Sequence, residues 1–143
     1  MDTFKFKLTL PIQLRFNDVD SLGHVNNTIY FSFYDLGKTT YFDELKKTYP
    51  HLNDIGAVIV NAQADFLAPV FMNEQIAVQT SVTELGNKSF KMLQQVINTE
   101  TNEVKCVCRT IMVGFDKKSS SSLPISDEWK KAIAEFEGNG ELG

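Results

Sequence analysis

The stretch Thr28–Lys47, TIYFSFYDLGKTTYFDELKK, decides the fold. It runs without proline, and at 1.5 Å per residue it predicts a helix of ~30 Å. Ile29, Phe33, Leu36, Thr40 and Leu45 fall on one stripe, which Tyr30, Phe31, Tyr34, Tyr41 and Phe42 widen around much of the circumference. A helix apolar on most sides is a buried helix. Gly37 costs about 1 kcal/mol against alanine in a helix interior, and close approach to a strand would account for it. Asp43, Glu44, Lys46 and Lys47 turn the last part towards solvent.

Working outward, the helix is preceded by Asn17-Asp18-Val19-Asp20-Ser21-Leu22-Gly23-His24-Val25-Asn26-Asn27, a loop by composition that ends on two good N-caps. Before the loop, Phe4, Phe6, Leu8, Leu10, Ile12, Leu14 and Phe16 occupy every second position, the period of a strand with one buried face. Pro11 on the polar phase marks an edge or a bulge. After the helix, four strands are expected at Gly56–Ala68, Glu74–Leu85, Ser89–Asn98 and Glu103–Asp116, with a tight hairpin at Gly86-Asn87. In the first of these, Val58, Val60, Ala62, Ala64 and Phe66 alternate against Ala57, Ile59, Asn61, Gln63 and Asp65. Residues 117–123, with four consecutive serines, read as a flexible linker, and Ser126 as the N-cap of a short helix to about Glu137. The residues after it read as frayed. One helix beside a mostly antiparallel sheet is an α+β layer arrangement, and the whole of 1–143 reads as one domain.

Composition narrows the function. Hydrophobic residues are 43 % and charged residues 22 %, as in ordinary globular proteins. A net charge of −4 excludes a general nucleic-acid partner, which needs a basic face. No signal-like N-terminus and no ~20-residue apolar span is found, so the cytoplasm is expected and no membrane partner. Cys106 and Cys108 lie two apart in a strand; without a second Cys/His cluster they read as small thiols rather than a metal site.

Nucleophile-elbow, phosphate-loop, zinc-protease and dinucleotide motifs are absent. The informative place is the loop that carries Asp18 and Asp20 up to the helix N-terminus. A helix start offers free N–H groups and a positive dipole end, the donors that a developing oxyanion requires. An Asp within reach would attack an acyl carbon or activate water. The alternative is that such an Asp only forms an Asx turn or caps the helix. The residues alone leave both readings open.

The segment Arg15–Phe31 resembles the opening motif of the 4-hydroxybenzoyl-CoA thioesterase-like branch of the hotdog superfamily. That motif reads D-x-D-x-x-G, a short stretch often H-V-N-N, then an aromatic-rich helix. Asp65-Phe66-Leu67-Ala68-Pro69-Val70 and Leu85-Gly86-Asn87-Lys88-Ser89-Phe90 resemble two later segments of the family. The resemblance implies a hotdog fold: five antiparallel strands wrapped around one long central helix, with a short C-terminal helix here. It implies hydrolysis of an acyl-CoA or acyl carrier protein thioester, with no metal or cofactor beyond the coenzyme A of the substrate. By position it makes Asp20 the catalytic carboxylate and Asn27 the site of the oxyanion N–H. Asp18 becomes a loop organiser. Gly23, His24, Val25, Tyr30 and Asp65 are the residues expected to meet substrate, although Tyr30 and Tyr34 at helical spacing also suit a core. Lys88, Lys91 and Arg109 are candidates for the phosphates. The family's site lies between protomers, so a homodimer or homotetramer is implied, with the Gly56–Ala68 strand pairing across a two-fold axis. A non-catalytic acyl-binding domain is the rival reading. The Asp-to-His spacing of a hotdog hydratase is not met.

Overall fold

The protein is described by a computed structural model covering residues 5–138. The strands are β1 (Leu8–Ile12), β2 (Ala57–Phe66), β3 (Ile76–Leu85), β4 (Ser89–Asn98), β5 (Val104–Asp116) and β6 (Ser121–Ser122); the helices are α1 (Ile29–Thr48) and α2 (Asp127–Glu137). The sheet order is β1-β3-β4-β5-β2, every pair is antiparallel, and β6 adds to β5. α1 lies across one face of this sheet, and α2 closes one end. This is the hotdog arrangement that the sequence motifs imply. No helix among the described residues is long and apolar enough to cross a membrane.

Gly37 explains the seating of α1. A Cβ there would stand 2.6 Å from Thr80 Oγ1 and 2.8 Å from Gln94 Nε2. The missing side chain therefore lets the helix backbone settle on β3 and β4. Gln94 Nε2 holds it there, donating to the Tyr34 carbonyl and to Thr80 Oγ1, both at 2.9 Å.

The buried stripe of α1 is narrower than its composition predicts. Tyr30, Phe33, Tyr34, Gly37, Lys38, Tyr41 and Leu45 are buried, whereas Phe31 is 40 % and Leu36 53 % exposed. A single sheet can cover only one side of a helix, so the remaining apolar residues are left facing outward in one protomer.

Three local differences have simple causes. β1 stops at Ile12 because its partner β3 begins opposite, at Ile76; Phe16–Asp18 then winds into a 3-10 turn. Phe4 lies outside the described residues, as do those after Gly138 that were read as frayed. Pro11 does sit on an edge strand. In β2 a bulge at Val60 shifts the register, so Val58 pairs with Val113 on the face away from α1 while Ala62, Ala64 and Phe66 face it. Residues 117–123, read as a linker, form a turn and β6, with Ser119 Oγ donating to the Asp116 carboxylate at 2.8 Å.

Two core clusters result. One joins Tyr41, Leu45, Phe90 and Met92 to Trp129 and Ile133 of α2. The other joins Val25, Tyr30, Phe33 and Tyr34 to Val70, Val78, Cys106 and Cys108 at the N-terminal half of α1.

Candidate active site

The loop before α1 is a miniature hairpin built on its own backbone. Val19 bridges Val25. The Asp20 N–H donates to the His24 carbonyl at 2.8 Å, and the Gly23 N–H to the Asp20 carbonyl at 3.0 Å. Gly23 has φ +82°, a left-handed conformation that glycine adopts at little cost. Asp20 therefore rides at the tip of a tight turn. Its Oδ1 accepts the Leu22 N–H at 2.9 Å, and its side chain is exposed.

The two acids of the motif are held quite differently. Asp18 is 2 % exposed; its Oδ2 accepts the Arg15 N–H at 2.9 Å, Oδ1 lies 3.7 Å from the Arg15 guanidinium, and its carbonyl accepts the Asn26 N–H at 2.9 Å. Those bonds tie both ends of the loop together, which is the organising role read from the sequence.

Just ahead of the helix, whose N-cap is Thr28, the Asn26 side chain closes an Asx turn. Its Oδ1 accepts the Thr28 N–H at 3.0 Å and the Thr28 hydroxyl at 2.8 Å, while the Asn26 carbonyl takes the Ile29 N–H at 2.9 Å. The Asn27 N–H has no acceptor among the described residues. The sequence reading thus located the helix start within two residues, but the N-cap it gave to the asparagine pair is Thr28, which carries no side-chain cap bond; Asn26 orders the turn before it.

The remaining expected residues are spread around this loop. Val25 is buried, and its N–H donates to the Val70 carbonyl at 2.8 Å. His24 is half-buried, edge-on to Phe71 with ring centroids 4.9 Å apart. Tyr30 is a core residue, 2 % exposed and edge-on to Phe66 at 5.4 Å; burial pushes its hydroxyl up to about 12. Asp65 points to the other face of the sheet, 3.6 Å from Arg109. Arg109 and Lys91 line a concavity of about 390 Å³ on that same outer face, and Lys91 pairs with Glu84 at 3.2 Å. None of the residues that line the concavity belongs to the Asp20 loop. Cys106 and Cys108 are free and buried, and burial raises the Cys106 thiol to about 11, so neither is a reactive thiolate.

A clamp that sequence reading missed steadies the loop opposite. Lys105 Nζ lies 2.8 Å from Glu74, 2.7 Å from Glu103 and 3.3 Å from the Pro69 carbonyl; Glu74 also accepts the Phe71 N–H at 2.7 Å and the Asn98 amide at 3.0 Å. The only signal was a lysine inside an apolar strand. Large apolar side chains are nevertheless left uncovered all round the site. Phe16 is 88 %, Leu22 76 % and Leu67 60 % exposed, and Phe66, Phe71 and Met72 are more than a third exposed. Such a patch marks a surface that binds something.

Residues 14–133 match the family described as the thioesterase-like superfamily. The uncharacterized protein YsmA of Bacillus subtilis (strain 168) is 24 % identical over 128 residues, covering 90 % of this chain and 86 % of its own. A 1,4-dihydroxy-2-naphthoyl-CoA hydrolase of Crocosphaera subtropica is 29 % identical over 138 residues, covering 87 % of this chain and 96 % of its own. Among solved structures, a thioesterase from Thermus thermophilus complexed with coenzyme A and Zn superposes with a TM-score of 0.82 at 23 % identity, covering 94 % and 96 % of the two chains. The chain belongs to the thioesterase-like superfamily, a class of thioester hydrolases.

Proposed function

We propose that this protein hydrolyses acyl-CoA thioesters with Asp20 as its catalytic carboxylate, working as a homodimer. The observation that carries the reading is the contrast between the two motif acids. Asp18 is locked in the loop, whereas Asp20 is presented at a rigid tip with one oxygen engaged by the turn and the other without a partner among the described residues. A carboxylate held that way loses little entropy on meeting a substrate.

In the general-base form, Asp20 takes a proton from water and the water oxygen bonds to the thioester carbon. The carbonyl oxygen becomes an oxyanion that accepts the Asn27 N–H at the positive end of α1. Collapse breaks the C–S bond, and the proton goes to the departing thiolate. In the nucleophilic form, an Asp20 oxygen bonds to the carbon and the C–S bond breaks to release the thiolate; water then adds to the Asp20 carbonyl of the resulting anhydride, which frees the acid, restores the carboxylate and supplies the proton that the thiolate takes. Single turnover in ¹⁸O-labelled water separates them, since only the second form puts a ¹⁶O from Asp20 into the first product.

Two features support assembly through β2. It is a sheet edge with unpaired backbone groups, and Val58, Ile59 and Val60 on it are 40 %, 45 % and 57 % exposed. Pairing two such edges would cover these residues and bring the uncovered surface near one Asp20 loop to the partner.

The test is thiol release from a panel of acyl-CoAs and acyl carrier protein thioesters, wild type against Asp20→Asn. Turnover on a CoA thioester that falls by ~10²-fold or more in the variant supports the reading. Equal activity in a folded Asp20→Asn protein, or tight acyl-CoA binding without turnover, favours a non-catalytic acyl-binding domain.

A further inference from the structure

The Asp20 loop is held in place by the connection between β2 and β3, residues 67–75. The Val25 N–H donates to the Val70 carbonyl at 2.8 Å, and His24 bridges Phe71 in antiparallel register. The His24 carbonyl in turn accepts the Asp20 N–H at 2.8 Å. The tip that presents Asp20 therefore inherits its position from Val70 and Phe71.

Those two residues are gripped from both sides by one ion pair. The Lys105 carbonyl accepts the Leu67 N–H at 2.8 Å and the Ala68 N–H at 3.1 Å, and its Nζ donates to the Pro69 carbonyl at 3.3 Å. Glu74 completes the grip with its two oxygens turned to different tasks. Oε1 takes the Lys105 ammonium at 2.8 Å and the Asn98 amide at 3.0 Å, which ties it to β4 and β5; Oε2 takes the Phe71 N–H at 2.7 Å. Bonds at 67, 68, 69 and 71 thus surround Val70, which is fully buried. Lys105 itself is 5 % exposed. A buried ion pair costs desolvation, and well-packed apolar side chains often match it for stability. Apolar side chains could not, however, aim the Pro69 carbonyl or the Phe71 N–H. What the pair contributes beyond packing is direction.

We propose that Lys105 and Glu74 are positioning residues for hydrolysis, setting the place of the Asp20 carboxylate through Val70 and Phe71 on one loop and Val25 and His24 on the other. The proposal rests on the reading of Asp20 as the catalytic carboxylate. Loosening the pair leaves the thioester free to bind but lets the carboxylate drift, so the loss falls on kcat rather than on KM.

The test uses the acyl-CoA of the panel that wild type turns over fastest, at a temperature where circular dichroism shows every variant folded. Lys105→Met should lower kcat by about 10- to 100-fold, the cost of a displacement of about 1 Å, with KM within about 2-fold. In the Asp20→Asn background the same substitution should cost less than about 2-fold, because the group it positions is already gone. Trp129→Ala, which destabilises the closed end of the core, should leave kcat alone. Amide exchange supplies a readout that needs no substrate. In Lys105→Met the Val25 and Asp20 amides should exchange at least about 10-fold faster, while the Ile125 amide, bonded to the Asn87 carbonyl at 2.9 Å at the closed end, keeps its wild-type rate. If Lys105→Met fails to fold, Glu74→Gln carries the same measurements, since its amide oxygen still accepts the Phe71 N–H. Unchanged kcat in a folded variant, a loss confined to KM, an equal loss in Trp129→Ala, a full further loss in the double variant, or faster exchange everywhere alike would each overturn the proposal. If Asp20→Asn turns over like wild type, or no thioester is hydrolysed, the reading of Asp20 fails first, and exchange then decides the link between the loops separately. Selective loss of protection at Val25 and Asp20 keeps that link; an unchanged pattern removes it.

Discussion

The two ends of α1 are built on the same sheet yet finished differently. At the C-terminal end, Tyr41, Leu45, Phe90 and Met92 are capped by Trp129 and Ile133 of α2, and the polar tips have partners. The Trp129 indole N–H donates to the Asn53 carbonyl at 2.9 Å. Glu137 accepts the Tyr41 hydroxyl at 2.5 Å, the Ser81 hydroxyl at 2.9 Å and the Val82 N–H at 3.1 Å. At the N-terminal end, Tyr34 Oη and Lys38 Nζ lack an oxygen or nitrogen partner among the described residues, and Phe16, Leu22 and Leu67 stand in solvent. One end satisfies its own hydrogen bonds and covers its own apolar area; the other, among the described residues, does neither in full. Stability and function are thereby separated along a single helix, and substitutions at the two ends should separate the same way.

The largest expected effect lies at the closed end. Trp129→Ala removes a buried indole and its hydrogen bond, and should destabilise by about 4 kcal/mol. That corresponds to a fall in melting temperature of roughly 10–15 °C by calorimetry. Turnover per folded molecule at low temperature should be little changed. A variant that keeps its melting temperature but loses turnover would break the comparison.

Slightly smaller is the effect of Glu74→Gln, at the open end but within its one closed clamp. Leaving the Lys105 ammonium short of a carboxylate should cost about 3 kcal/mol in chemical denaturation. Partial burial works against the charge on Glu74, but hydrogen bonds from Lys105, the Phe71 N–H and Asn98 outweigh it, so the carboxyl is held below its ordinary range. A depressed carboxyl contributes stability above its unfolded value and loses it as pH falls through the folded one. The difference between wild type and variant should therefore be full at pH 7, shrink once the pH falls below the ordinary glutamate range, and vanish only below the depressed folded value. A pH-independent difference would mean that packing, not charge, is what Glu74 supplies.

Asp20→Asn sharpens the contrast from the other side. The amide oxygen can still accept the Leu22 N–H, so the melting temperature should stay within about 2 °C, while turnover drops by ~10²-fold, or about 2.7 kcal/mol in the barrier. Asp18→Asn, by contrast, should lower both, since its carboxylate bonds order the loop. Identical profiles for the two would dissolve the distinction between presenting and organising acids.

The sequence made the periodic parts legible. β4 was placed residue for residue, α1 and β5 within one residue, because alternation and helical spacing are local. The roles of Asp18 as organiser and of Gly37 as a contact with the sheet were also readable. Whatever depends on distant partners was not. The bulge at Val60 hides in an unbroken apolar alternation, since inserting one residue changes the face without changing the composition. Glu137 reaches Tyr41 across 96 residues of chain, and nothing local marks it as more than a helix-end acid. Nothing local marks Lys38 as the buried lysine of α1. The width of the apolar stripe on α1 was over-read for the same reason in reverse: Leu36 is apolar but faces outward.

The smallest prediction compares the side-chain bonds that open the two helices, an N-cap at α2 and an Asx turn ahead of α1. Ser126 Oγ accepts the Trp129 N–H at 3.3 Å at the start of α2, and Asn26 Oδ1 accepts the Thr28 N–H at 3.0 Å at the start of α1. Removing either side chain with alanine forfeits a bond that orders a helix start, typically ~1 kcal/mol, or about 3–4 °C in melting temperature. The two losses of stability should be nearly equal. Their effects on chemistry should not. Ser126 caps a helix that only closes the far end of the core, so Ser126→Ala should leave kcat alone. Asn26 fixes the first turn beside the unpartnered Asn27 N–H, where an oxyanion donor must be held within a few tenths of an ångström to be useful. Asn26→Ala should therefore lower kcat several-fold while KM moves little, because the loss falls on the transition state rather than on binding. Equal kcat values in the two variants would show that the start of α1 is merely a helix end, and would move the oxyanion site away from Asn27.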